Sequence, residues 1–454
     1  MGDRRAAFLA GLIFALAPAH MAQLAGGHLG VMSVQWVPFC ALALMGLFAA
    51  PTWRRAAVFA VTVALVAATD LYVAAYFFGT LGVAFVGYYA WRDRQRLLRP
   101  AFVLKAAIAT LAGLAVTVPF HLSTWRTLQG AVSNTAQAAT VDRFGQDLLQ
   151  LLLPAPGHRL LGWLSQPLAG RIANTDSWGT LGLVALGLAV VGLWRRRDDL
   201  TRFWGVFTGL AVVGSLGTWL HVAGAKLLPM PYLVAVQLPV IKSLRVPGRL
   251  AEIAALGLAM LAAAGAAWCF ARLGSRARWV FAALGAAIAL EYAAFMPFPT
   301  TSAAVPAFYQ TLAAEPGAGA ILELPNGDEN WGGPTHRWMY YQTMHGKPLV
   351  FGHTHRVPNG ATTFYWRDPV VSRLAGMAYG ATMTPMPAGI DVPGHLAGHG
   401  IGHVTLHQVP GMLEGDTYRR MRATLVGHFG APVYEDSDMV AFATRPHVGA
   451  QLGR

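Results

Sequence analysis

The chain has 454 residues, 55% of them hydrophobic and only 12% charged, with a mean hydropathy of +0.44. Soluble globular domains carry about a quarter charged residues, so this composition excludes an ordinary soluble protein and indicates a polytopic membrane protein. The net charge of +13 is uneven: residues 1–297 hold 24 Lys+Arg against 10 Asp+Glu, and the remainder 10 against 11. The excess is therefore a topology signal in the apolar part, not a polyanion-binding face, and no nucleic acid partner is expected. Cys40 and Cys269 both lie in apolar runs, which excludes a disulfide framework or a Cys-based metal site.

Nine hydrophobic spans follow in chain order, at about 6–24, 30–50, 56–70, 71–91, 101–122, 179–194, 203–223, 250–272 and 278–297. A helix needs about 20 apolar residues to cross the bilayer, so the short third and sixth spans require tilt or local thinning. With the N-terminus in the cytoplasm, every short basic cluster falls on one side: Arg4 and Arg5, Arg54 and Arg55, Arg92 to Arg99, Arg195 to Arg202, and Arg272 to Arg278. The cation-free turns near Gly26 and Asp70, the 123–178 loop and a proline-rich segment fall on the other, as the positive-inside rule requires. An odd number of spans exports the tail.

The 123–178 loop is too long for a plain connection. Its QDLLQLLLPAPGHRLLGWL stretch predicts an amphipathic interfacial helix ended by Pro154 and Pro156. Asp142, Asp147, His158, Arg159 and Asp176 would face outward there, as substrate contacts or as solvated loop charges. The segment 226–252, KLLPMPYLVAVQLPVIKSLRVPGRLAE, holds Pro229, Pro231, Pro239 and Pro247, which cannot sit inside uninterrupted helices. It predicts a broken, partly interfacial connection with Tyr232 at its wet end. Arg245 and Arg249 then precede a long apolar run. Guanidiniums four apart suit the oxygens of a lipid phosphate, although cations at helix ends also snorkel to headgroups as simple anchors.

From Pro297 the composition turns polar. VPAFYQTLAAE predicts a helix, AILELP a buried strand, HRWMYYQTMH a helix and KPLVFG a strand. A Gly/Pro-rich middle follows, then IGHVTLHQV as strand, a helix over about 413–426, and the strands PVYE and MVAFAT. This alternation predicts a soluble α/β domain over 298–454, behind a transmembrane helical domain over 1–297. Ten of the fifteen histidines lie in the tail, including His353, His355, His399, His403 and His407. None of these pairs reads as a helical HxxxH with an acidic partner, so no metal site is expected. Trp331, Trp338, Tyr340 and Tyr341 are aromatics suited to stacking on sugar rings or to core packing.

Several stretches carry a resemblance over nearly the whole chain: AAFLAGLIFALAPAHMAQLAGGHLGVMSVQWVPF, the Asp70, Leu71, Tyr72 turn, LPMPYLVAVQLPVIKSLRVPGRLAEIAALGLAMLAAAG, AGAILELPNGDENWGG and GHGIGHVTLHQ. These resemble bacterial GT-C-type membrane glycosyltransferase-like proteins, and more loosely YfhO-like membrane proteins. The resemblance implies many helices, an exported C-terminal domain, and transfer of a sugar from a polyprenyl-phosphate donor to an envelope glycan or protein acceptor. It places the chain in the bacterial inner (plasma) membrane, with the lipid bilayer as its surroundings. Relatives of this type carry further helices and an acid-bearing loop before the AGLIFALAP-like span, so this chain reads as an N-terminally shortened member.

No residue here inherits that acid, and Asp70, the sole carboxylate in the early outward turns, is the substitute. Its residue type suits a general base for an acceptor hydroxyl, a ligand of a divalent cation such as Mg or Mn, or simply the cap of the helix from Leu71. Tyr72, His20, His28 and His121 share its side, and Glu291 lies inside the last span. The competing class is a non-catalytic scaffold, accessory subunit or transporter of envelope assembly; the matched inverted halves typical of transporters are not seen.

Overall fold

A computed structural model describes residues 3–128, 138–172, 178–238, 241, 244–298, 300, 302–317, 319–326, 334–352, 359–378 and 386–445. Asp176, Trp331, His353 and His355 lie outside the described residues. The chain forms two compact units, one of residues 1–123 with 134–300 and one of 124–133 with 301–454.

The first unit is helical. Among the described residues five stretches are long and apolar enough to cross a membrane: Arg4–Ala25, Leu29–Ala49, Leu71–Arg92, Pro100–Leu122 and the 46-residue Pro247–Tyr292. The last joins two of the expected spans through the 3-10 turn Gly274–Arg276, while Trp53–Ala67, Leu183–Arg195 and Asp199–Ser215 are shorter helices. Side chains set the helix starts. Thr52 caps Trp53–Ala67, Asp70 caps Leu71–Arg92 and Asp198 caps Asp199–Ser215, each accepting first-turn amides that have no partner within the helix.

The centre is the helix Leu250–Leu273, alanine-rich and almost wholly buried. Small residues let its neighbours approach to backbone distance: a Cβ on Gly265 would fall on the Leu188 carbonyl oxygen, and one on Gly192 on that of Leu261. Such close packing substitutes for the hydrophobic drive that lipid does not supply between helices.

Two expectations are corrected in this unit. The 203–223 span is helical only to Ser215. Gly217, at φ 77°, turns the chain into strand β1 (Trp219–Val222), which pairs antiparallel with β2 (Ala225–Pro229). The interfacial helix after residue 145 is only Leu148–Leu152, because Leu153 is extended ahead of Pro154. A turn and a short 3-10 segment, Gly162–Leu164, follow it.

The second unit has a four-stranded sheet in the order β3 (Ala320–Leu324), β4 (Ile401–His407), β6 (Met439–Ala443), β5 (Tyr434–Glu435). β3 and β4 run parallel and the other pairs antiparallel. Alternation along the strands feeds two cores. Leu322, Leu324, Val404, Leu406, Val440 and Phe442 pack with Leu374, Leu396, Met421 and Leu425. Ile321, Met439 and Ala441 pack with Phe308, Tyr309, Leu312 and Trp338. KPLVFG is not a strand: it meets β3 through one parallel bridge, Leu349 with Ile321, flanked by two backbone hydrogen bonds.

Candidate functional site

Residues 244–249 are held from two sides before the long central helix begins. The Tyr232 hydroxyl donates to the Leu244 carbonyl (3.2 Å) and lies 3.3 Å from the Tyr76 hydroxyl. Opposite, the Gly248 amide donates to the Phe144 carbonyl (3.0 Å) and the Gln146 side-chain amide donates to the Gly248 carbonyl (3.4 Å). Within this frame Arg249 ends the 3-10 turn Pro247–Arg249, 4% exposed, with its guanidinium 4.8 Å from the centre of the Tyr72 ring. A cation over an aromatic face in a desolvated site is worth about 2 kcal/mol.

Arg245 and Arg249 stand on successive segments ahead of the central helix. Pro247 keeps Val246 out of the helical region (φ −120°, ψ 74°), so half-buried Arg245 lies outside regular structure, ahead of the turn that carries Arg249.

Asp70 directly precedes Tyr72's helix. Its Oδ1 accepts the Tyr72 and Val73 amides at 2.8 and 3.2 Å, while Oδ2 lies beside Gly30, where a Cβ would come within 3.3 Å. His28 borders the same short helix, Leu29–Met32, with Nδ1 2.7 Å from Gln23 Oε1. His20 is buried, its two ring nitrogens 2.8 and 3.1 Å from the Phe14 and Glu252 carbonyls, which ties the first turn of the central helix to the kink after Phe14. Asp70, Tyr72, Arg249 and, through Tyr232, the stretch bearing Arg245 thus belong to one framework.

The other candidates are engaged in the fold. Asp147 is 2% exposed and accepts the amides of Leu149 (2.9 Å), Ala223 (3.2 Å) and Gly224 (2.8 Å), so it both caps Leu148–Leu152 and fastens the β1–β2 turn. His158 is buried; its Nδ1 accepts the Leu160 and Leu161 amides, which makes Nε2 the donor to the Leu290 carbonyl at 3.1 Å. His121 Nε2 lies 3.1 Å from the Ala67 carbonyl. Glu291 accepts the amides of Leu183 and Val184, capping a helix whose own N-cap, Gly182, has no side chain to offer. Asp142 pairs with Lys226 at 2.8 Å.

Sequence reasoning missed the buried Gln23, Gln146, Tyr76 and Glu252. For Glu252 a signal existed: an acid three residues after Arg249 at the start of an apolar helix stands out in a membrane segment.

In the second unit Trp338 and Tyr341 are core, whereas Tyr340 is exposed. The fully buried Glu323 accepts the Tyr309 hydroxyl (2.8 Å) and the Thr405 hydroxyl, and its Oε2 lies 2.8 Å from His407 Nε2. The Trp338 ring stacks on His407 at 3.8 Å. Burial pushes the Tyr309 phenol well above its ordinary range, and the Glu323 carboxylate beside it adds to the rise. His403, four residues earlier on the same strand, is also buried and packs edge-on to Phe308.

The tail does contain a helical HxxxH with an acidic partner, against expectation: His395 and His399, with Asp368. Among the described residues this is the single cluster of three or more potential metal ligands.

No protein-family model and no curated protein matches the chain. Its fold is similar to that of the arabinofuranosyltransferase AftD from mycobacteria, solved by single-particle cryo-EM, with a TM-score of 0.52 at 17% identity. The likeness covers 98% of this chain and 32% of that one, so the chain spans well under half the length of the protein it matches.

Proposed function

We propose that the chain is a GT-C-type membrane glycosyltransferase unit that moves a sugar from a polyprenyl-phosphate donor to an envelope glycan or protein acceptor. It works on the extracytoplasmic face of the bacterial inner membrane. Residues 1–297 cross the membrane in nine spans with the N-terminus cytoplasmic, and 298–454 form an extracytoplasmic α/β domain. The fold shared with a membrane arabinofuranosyltransferase supports the class but does not choose the substrate. The observation that carries the reading is Arg249: a buried guanidinium at the head of the central helix, seated on Tyr72, two residues from Asp70.

In this reaction the acceptor hydroxyl oxygen bonds to the anomeric carbon, the bond from that carbon to the phosphate oxygen breaks, and the polyprenyl phosphate leaves as an anion. Asp70 takes the hydroxyl proton on Oδ2, since Oδ1 suffices for the cap. Arg249, with Arg245 on the adjoining stretch, holds the departing phosphate; Tyr72 and His28 border the acceptor side. A divalent cation such as Mg or Mn, if bound, would be held by Asp70 and would neutralise the departing phosphate.

The test is direct binding of a polyprenyl phosphate to purified wild type, Arg245→Lys and Arg249→Lys, matched for thermal stability. Lysine keeps the charge but loses the planar two-pronged donor, so affinity should fall about tenfold or more, equivalent to one charge-assisted hydrogen bond. Equal affinities for all three proteins, or no binding by the wild type, would favour the non-catalytic membrane scaffold.

A further inference from the structure

The helix Val392–Gly398 carries His395, and His399 follows as its C-cap, so two imidazoles four residues apart face the same way with ring centres 4.9 Å apart. Opposite them stands Asp368, 9% exposed, just ahead of the helix Val371–Ala378. Its Oδ1 accepts the Val370 and Val371 amides, both at 2.9 Å, which fixes the carboxylate plane. Its Oδ2 points at both histidines, 2.8 Å from His395 Nε2 and 3.7 Å from His399 Nε2. Phe364 packs on the His399 ring at 5.0 Å.

An ordinary Asp–His hydrogen bond accounts for His395 and leaves His399 unexplained. At 3.7 Å its ring nitrogen is beyond hydrogen-bond reach of the carboxylate, yet it converges on the same oxygen. We propose that Asp368, His395 and His399 form a binding site for a divalent transition metal ion of the zinc type.

One ligand atom from each residue lies within 4.8 Å of the other two. Zinc bonds of about 2.0–2.1 Å in a tetrahedron set neighbouring ligand atoms about 3.3 Å apart. The carboxylate oxygen lies 2.8 and 3.7 Å from the two imidazole nitrogens, distances that bracket that value. Imidazole nitrogens with one carboxylate oxygen are a donor set for zinc and its neighbours rather than for Mg or Ca, which prefer all-oxygen surroundings. The amides on Oδ1 are the orienting partners that metal carboxylates usually have. With the His399 side chain 46% exposed, the fourth position opens to water. The ion would also clasp the ends of two helices within the second unit.

The experiment uses the full chain in detergent, stripped with a chelator and then dialysed against Zn²⁺, with bound zinc counted by elemental analysis and its Kd measured by chelator competition. His399→Gln changes an exposed side chain, and Asp368→Asn keeps an acceptor for the two amides, so both should fold; His428→Gln is the control away from the cluster. Wild type and the control should hold one more equivalent than either variant. The site's Kd should rise by more than about a hundredfold, since groups that merely orient a ligand are already worth about 10–100-fold. Co²⁺ in place of zinc should give the visible absorption of a tetrahedral site in wild type and not in His399→Gln. Equal zinc stoichiometry and Kd in wild type and His399→Gln, or a wild-type Co²⁺ spectrum without that absorption, would overturn the site.

Discussion

Asp70 separates fold from chemistry because its two carboxylate oxygens do different work. Oδ1 holds the Tyr72 and Val73 amides at 2.8 and 3.2 Å, and Oδ2 lies on the Gly30 side. Asp70→Asn keeps an acceptor for the first turn and loses the charge and the basicity. Asp70→Ala loses the acceptor as well, which costs about 1 kcal/mol of stability, within a range of roughly 0.5–2 for helix caps. As general base, Asp70 contributes about 10²–10⁴-fold to the transfer step. The Asn variant should therefore melt with the wild type and transfer at least about a hundredfold more slowly; the Ala variant should lose both. The assay is sugar transfer from a panel of synthetic polyprenyl-phosphate sugars by purified protein in nanodiscs, with thermal unfolding recorded on the same samples. A wild-type rate in Asp70→Asn would refute the base and leave the residue as a cap alone.

Two further outcomes are expected. In a background lacking Cys40 and Cys269, cysteines at Thr52 and Gly274 should resist a membrane-impermeant thiol reagent in intact cells, while one at exposed Ser437 should react; labelling at Thr52 but not Ser437 would reverse the orientation. His345 is buried, its Nδ1 accepts the Lys347 amide (3.0 Å), and burial holds its pKa below the ordinary 6.5. The unfolded chain then binds the extra proton first, so the contribution is complete above about pH 6.5 and shrinks as pH falls through the depressed value. Asn at position 345 keeps an acceptor without the titration, so the loss of thermal stability between pH 7 and 5 should be smaller than in wild type; an unchanged pH profile would count against it.

Local patterns in the chain carried much of the fold. Apolar runs mark the helices of the first unit, and the prolines of 226–252 mark a break. The alternation in β4 and β6 survives because each face of the sheet has its own core. Asp70 as a helix start was readable because an N-cap is fixed by the residues that follow it. The missed features depend on distance along the chain. Glu291 caps a helix more than a hundred residues earlier, and Asp147 reaches the turn at Ala223 and Gly224. KPLVFG looks like a strand, but only Leu349 bridges to β3. The His395 and His399 pair was hidden by its setting: the helix is seven residues long and opens with Val392, Pro393 and Gly394 in a Gly/Pro-rich stretch. Asp368, 27 residues away from His395, supplies the partner.

The same long-range bonds decide which polar residues can inform on chemistry. In a membrane unit an unmet amide or carbonyl costs several kcal/mol, so side chains that satisfy backbone groups are under structural constraint whether or not a substrate is near. Asp147 serves three amides, Glu291 two, and His158 two amides and a carbonyl. Substituting any of them opens a turn or a helix end, and lost activity would follow from lost fold. The second oxygen of Asp70 differs, since Oδ1 alone serves Tyr72 and Val73. Asp70→Asn therefore alters charge and basicity while leaving the helix start intact, which makes this a position where a loss of transfer can be read as chemistry.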